Sequence, residues 1–111
     1  MKRIQLDHYV LDTLMPDLVG HDRHASAFVV YLFLWRHSKP RAATPLSLRT
    51  IADGTGLSKR AVQTAVRRLR KRRLVTVGRK HITATPTYSV QRPWRKKAGR
   101  IVDRKVRSGS A

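Results

Sequence analysis

Apolar residues recur at helical spacing in successive stretches of this chain, with two short strand-like runs between the last of them. Val10, Leu11, Leu14, Met15 and Leu18 follow Asp7, which is placed to cap a helix start, and predict a short helix over about 8–15. Pro16 removes a backbone donor and predicts a bend after it. Gly20 and Asp22 punctuate the chain, and a second helix is expected from Arg23 to His37. Its run Ala27–Trp35 is apolar nearly all round, which marks a helix at the centre of a core. Ser38-Lys39-Pro40 ends it.

Residues 40–46 form a proline-containing loop, with an extended segment expected near Thr44–Leu46. Ser47 can cap a helix from Leu48 to Asp53 whose inward positions are Leu48, Ile51 and Ala52. Gly54-Thr55-Gly56 ends that helix, and Ser58 caps the next, expected to reach about Arg73 with Val62, Val66 and Leu69 along one side. Leu74–Val77 and Thr87–Val90 read as antiparallel strands joined by a polar, cationic loop over 78–86. From Arg92 onward, Trp94, Ala98, Ile101, Val102 and Val106 return to helical spacing, so this basic end reads as a helix or an extended tail. The final Ser108-Gly109-Ser110-Ala111 is expected to lack order. The pattern is mainly α with a small β-hairpin, an α+β class. It divides into an N-terminal helical extension (1–22), a central domain (23–92) and a basic C-terminal helix or tail (93–111).

Charge changes this picture from a generic helical domain to one with a partner. The formal net charge of the 111 residues is +19, and it is lopsided. Residues 1–40 hold five Lys/Arg against four Asp, a net of +1, while residues 41–111 hold twenty against two, a net of +18. Arg outnumbers Lys about two to one, and no Glu is present. Such a field opposes compaction unless a polyanion is near, and guanidinium forks suit phosphate oxygens and guanine edges. The absence of cysteine removes disulfides, thiolate metal ligands and thiol chemistry. No signal peptide is expected at the N-terminus, and the longest apolar run is far below the ~20 residues that span a bilayer. The expected compartment is the cytoplasm, in contact with the nucleoid.

The spacing Ile51-Ala52, Gly56-Leu57, Val62, Ala65 is that of two helices crossing steeply through a tight turn. Ala52 is small enough for the close approach, and Gly56 tolerates a positive φ. If Leu57, Val62 and Ala65 bury under the first helix, the opposite face of the second points outward. This stretch, Leu48 through Leu69 followed by Arg73-Leu74-Val75, resembles the winged helix-turn-helix family of DNA-binding domains over about residues 23–92. It looks most like the versions in bacterial and phage regulators and plasmid replication initiators. The resemblance implies that the helix over 58–73 is a recognition helix for the major groove, and that the hairpin over 78–86 is a wing on backbone or minor groove. It implies groove contacts from Ser58, Lys59, Arg60, Gln63, Thr64 and Arg67. Backbone contacts are expected from Arg49, Arg68, Lys71 and Arg72, and wing contacts from Arg79, Lys80 and His81. Where family members place an acid and a glycine near 70–73, this chain has Arg70-Lys71-Arg72-Arg73, so the helix lacks its usual terminator.

Several residues admit plainer readings. His21 and His24, three apart around Asp22, have a loose ligand spacing but no evident third and fourth partners, so no metal site is expected. Trp35 with Phe28 and Leu32 reads as core, and Trp94 as closing the domain rather than stacking on nucleic acid. No paired carboxylates, nucleophile–base pair or phosphate-cradling glycine loop suggests an enzyme, and no cofactor is expected. The sequence therefore points to a double-stranded DNA-binding regulator, with a possible homodimer and no membrane partner. A replication or plasmid-maintenance role is the nearest alternative, and a non-specific RNA or architectural binder the next. The rarity of exposed aromatics weighs against single-strand recognition.

Overall fold

The computed structural model describes residues 2–38 and 43–95. Expectations placed on 96–111, including the helix through Ala98, Ile101 and Val106, lie outside the described residues.

The N-terminal segment does not bend at Pro16. Two π-helical stretches, Val10–Leu14 and Pro16–His21, join into one continuous helical segment. Pro16 lies inside this segment, at the first position of the second stretch, where widened bonding accommodates its missing N–H. The bonding is widened: Met15 N–H reaches the carbonyl of Val10, and Asp22 N–H that of Asp17. A wider turn aligns residues four apart, and Val10, Leu14 and Leu18 are accordingly all buried. Leu11 and Met15, expected inward from helical spacing, instead lie outside with Val19.

Helix α1 spans Ala25–His37, starting two residues later than expected because Arg23 takes a left-handed φ of 57°. It buries Ala27, Phe28, Val30, Tyr31, Leu34 and Trp35 at the centre of the core. Its polar tips tie distant segments down. The Tyr31 hydroxyl donates to the Gln91 carbonyl at 2.9 Å, and Trp35 Nε1 donates to the Gln5 carbonyl at 2.7 Å. Trp94 closes this end of the domain, its ring stacked 4.6 Å from Tyr9 and its Nε1 donating to Asp7 at 2.6 Å.

Strand β1 (Thr44–Pro45) leads to helix α2 (Leu48–Thr55), and helix α3 (Lys59–Lys71) follows the turn. Ser47 Oγ accepts from Thr50 N–H and Ser58 Oγ from Ala61 N–H, so both expected caps form. α2 runs through Gly54, which sequence reading had placed in the terminating turn. Gly54 belongs to the close approach of the helices: a Cβ there would lie 2.2 Å from the Phe33 ring of α1. Gly56 supplies the left-handed turn residue at φ 81°.

α3 ends in a Schellman arrangement that needs no glycine. Arg73 N–H donates to the Arg70 carbonyl, and Leu74 N–H to the Leu69 carbonyl, with Arg73 itself at φ 60°. Leu69 and Leu74 are both buried, supplying the apolar clasp of the motif. Strands β2 (Val75–Gly78) and β3 (Thr87–Val90) then pair antiparallel, Val75 opposite Val90 and Gly78 opposite Thr87. β1 pairs with the other edge of β3, giving the order β1-β3-β2. Three helices with this hairpin constitute a winged helix-turn-helix fold. Among the described residues no helix is long and apolar enough to cross a membrane.

Two predictions follow from the termini. A β-carbon in the left-handed region costs roughly 1–2 kcal/mol, so Arg73→Gly should raise unfolding stability by about 1 kcal/mol. Chemical denaturation measures it, and a decrease would contradict the Schellman assignment. The Arg95 guanidinium, above all, and the Trp94 N–H hold the Asp7 carboxyl down to about 2, against partial burial that pushes it up. A depressed carboxylate stabilises the fold above its ordinary pKa and loses that contribution as pH falls toward 2. Tryptophan emission should therefore report loosening of the Tyr9–Trp94 contact between about pH 4 and 2, and Asp7→Asn should abolish that step.

Candidate nucleic-acid interface

α3 is amphipathic in the sense a groove-reading helix requires. Val62, Ala65, Val66 and Leu69 are buried, and full burial of a side chain such as Leu69 is worth roughly 1.5–3 kcal/mol. That packing sets the helix rotation. Arg60, Thr64, Arg67 and Lys71, spaced four, three and four apart, consequently form one stripe on the opposite side. Lys59 and Gln63 flank it on one edge and Arg68 on the other, all exposed. Ser58 sits at the same end, its oxygen accepting the cap bond while its hydroxyl proton stays free to donate. Arg67 lies within reach of Thr64 Oγ1 at 3.4 Å, the one side-chain hydrogen bond of the stripe.

The electrostatics reinforce this geometry. Among the described residues, no carboxylate pairs with Lys59, Arg60, Arg67, Arg68 or Lys71, although α3 carries no acid to offset them. Four of the aspartates are engaged elsewhere: Asp7 with Arg95, Asp53 with Arg49, and Asp17 and Asp22 with Arg72. A row of uncompensated donors of about four helical turns is the footprint of a polyanion.

Two expected contacts have a different setting. Arg72, placed on DNA backbone by resemblance, is gripped by Asp22 at 2.5 Å and by Asp17. It joins the end of α3 to the N-terminal helical segment, and these carboxylates hold its proton more tightly still. Arg49 lies on exposed α2, 3.8 Å from Asp53 one turn on, a loose pair that leaves it available. Asp17, Asp22 and His21 also approach one another as metal ligands would. The guanidinium of Arg72 already occupies the space between the two carboxylates, so the cluster reads as an ion-pair network, and His24 is not part of it.

In the wing loop, Arg79, Lys80 and His81 are all exposed. Arg79 donates to the Ile82 carbonyl at 3.0 Å and His81 Nδ1 lies 3.0 Å from Thr83 Oγ1, so two of the three also shape the loop. Sequence reasoning missed Ile82. It is 86% exposed, the most exposed large apolar side chain of the described residues, at the tip of a cationic hairpin. The signal is a single large apolar side chain inside a mostly polar loop.

A family model described as a helix-turn-helix domain matches residues 25–75, from the start of α1 to the first residue of β2. Comparison with curated proteins and with solved structures finds no match.

The Arg72 network and the outward stripe should separate experimentally. Arg72→Gln leaves Asp17 and Asp22 facing each other uncompensated, and should lower stability by about 1 kcal/mol, the upper end for partly exposed pairs. Lys71→Gln should leave stability unchanged and weaken duplex binding. Thermal denaturation with a binding assay on each variant distinguishes them; equal stability loss in both would dissolve the distinction.

Proposed function

We propose, from the match of residues 25–75 to a helix-turn-helix domain model, that the protein is a sequence-specific double-stranded DNA-binding protein that regulates transcription. The observation carrying this reading is the exposed, carboxylate-free stripe Arg60, Thr64, Arg67 and Lys71, with Gln63 beside it, on a helix rotated by its own buried face. An α-helix with side chains is about 10–12 Å across and the major groove about 12 Å wide, so α3 fits the groove end-on or lengthwise. Arg60 and Arg67 present forks that match O6 and N7 of guanine, and Gln63 presents the paired donor and acceptor that match adenine. Lys59 joins them in the first turn, and Arg68 and Lys71, toward the other end of the helix, suit backbone phosphates.

The wing is assigned to the adjacent backbone or minor groove. Lys80 and Arg79 supply cations, and the exposed Ile82 supplies an apolar surface suited to sugar edges in a narrow groove. Two copies on one duplex would read half-sites about one helical turn apart. The protein would act wherever such duplexes lie, in the cytoplasm of a cell without a nucleus.

Selection from a random duplex library at two salt concentrations tests the reading. Enrichment of a defined sequence is expected, with Gln63→Ala changing which bases enrich while non-specific affinity stays within about twofold. Arg67→Ala should cost roughly 1–3 kcal/mol on the selected site. If structured RNA competes as well as the best duplex, or no sequence enriches, the reading fails.

A further inference from the structure

A second cationic surface lies away from α3. At the end of β3 opposite the wing loop, the chain passes through Arg92 and Arg95 and meets the C-terminal end of α1 and the residues before the first helical segment. Together these enclose a cleft of about 370 Å³ lined by Arg3, Trp35, Arg36, Ser38, Arg92 and Arg95, among others. That volume falls in the ~300–1,000 Å³ range of small-ligand clefts. None of the lining residues is acidic.

Among the described residues, three of the four guanidiniums have no carboxylate partner. The Arg92 guanidinium carbon lies over the Trp35 ring, 4.2 Å from its centroid. Among the described residues its Nε is buried without a hydrogen-bond partner, and its side chain bonds Ser38 Oγ at 3.5 Å. Arg95 is oriented by Asp7 through bonds of 2.7 and 2.5 Å and also lies over Trp35, at 5.8 Å. Arg3 and Arg36 are exposed and, among the described residues, have no carboxylate partner. Against four positive charges stand Asp7 and the C-terminal dipole of α1, worth about half a negative charge. The cleft therefore retains roughly two and a half positive charges, too many for a helix-capping role alone.

We propose that this cleft is a phosphate-binding site, separate from the groove-reading surface of α3. Arginine forks on several sides of one cavity match the tetrahedral oxygens of a phosphoryl group better than a single carboxylate. The face of Trp35 is covered by Arg92, so the site offers no stacking platform for a base and recognises the phosphate without base preference. The phosphate comes either from a duplex backbone wrapping past the wing or from a phosphorylated small molecule.

The protein's two tryptophans, Trp35 and Trp94, sit at this place, 6.4 Å apart, and make emission a local reporter. Titrating the full chain with pyrophosphate should give a saturable change that chloride at matched ionic strength does not. The Arg3→Gln/Arg36→Gln variant, altered only at exposed positions, should keep its melting temperature and weaken that binding about tenfold or more. The absence of saturation in the native protein, or an equal response in the variant, overturns the site. The source is then read from duplex binding. A fall of about one in the log–log salt slope per lost contact identifies backbone phosphate, and an unchanged slope identifies a free phosphorylated compound. The pyrophosphate result stands whether or not the protein selects a duplex sequence.

Discussion

Packing of α3 against α1 is the contact on which the rest of this structure depends. Val62, Ala65, Val66 and Leu69 are the buried residues of a helix that is otherwise cationic or polar, and α1 is the apolar surface they meet. An isolated 13-residue helix of this charge would be marginal in water, since like charges a turn apart repel. Tertiary burial, not propensity, therefore holds it. The same burial fixes its rotation, so the hydrophobic contact that makes the helix stable also decides which side chains face outward. α2 can approach the same core only because Gly54 leaves room for Phe33 and Gly56 turns the chain back.

The scarcity of acids imposes a second constraint. With six aspartates among 25 Lys and Arg, each carboxylate can neutralise only a fraction of the field around it. Among the described residues, three of them, Asp7, Asp17 and Asp22, sit where segments distant in sequence are joined. Asp7 holds Arg95 and Trp94, more than eighty residues away, and Asp17 with Asp22 holds Arg72. The N-terminal helical segment is thus fastened at both ends, to the turn after β3 and to the end of α3. Between those points Val10, Leu14 and Leu18 pack into the core. Placing the negative charges at these joints leaves the outward stripe of α3 with its full positive potential.

How much of this was legible depended on whether a feature was local. The caps Ser47 and Ser58, the turn at Gly56, the pairing of Thr87–Val90 with the preceding strand, and the buried face of α3 all follow from spacing and side-chain chemistry within a few residues. What the sequence hid came from partners far along the chain. Nothing near Arg72 reveals that Asp17 and Asp22 hold it, and nothing near Gly54 shows that Phe33 leaves no space for a methyl group. Two errors were of another kind, in which a rule of average behaviour met a local exception. Proline ordinarily breaks a helix, yet Pro16 is carried within the N-terminal segment by its widened, π-type bonding. Arg73 was read as a missing terminator but adopts the glycine-like conformation itself, because the Leu69–Leu74 clasp and two backbone bonds outweigh a penalty of about 1–2 kcal/mol.

The distribution of arginine then has a structural logic. The sheet acts as a spacer: β3 leaves the wing loop at Thr87 and delivers the chain past Val90 to Arg92, so one strand links the wing cations to the cleft at the far end. Tyr31 fixes that far end by bonding the Gln91 carbonyl from within the core, which prevents Arg92 from swinging away from Trp35. Among the described residues, positive charge thus gathers at two separated places, the surface of α3 with the wing loop and the cleft. Mutual repulsion along a rigid frame is unfavourable without a partner, and each place relieves it only when anions bind. Rigid separation also means that the two surfaces need not be relieved by the same molecule.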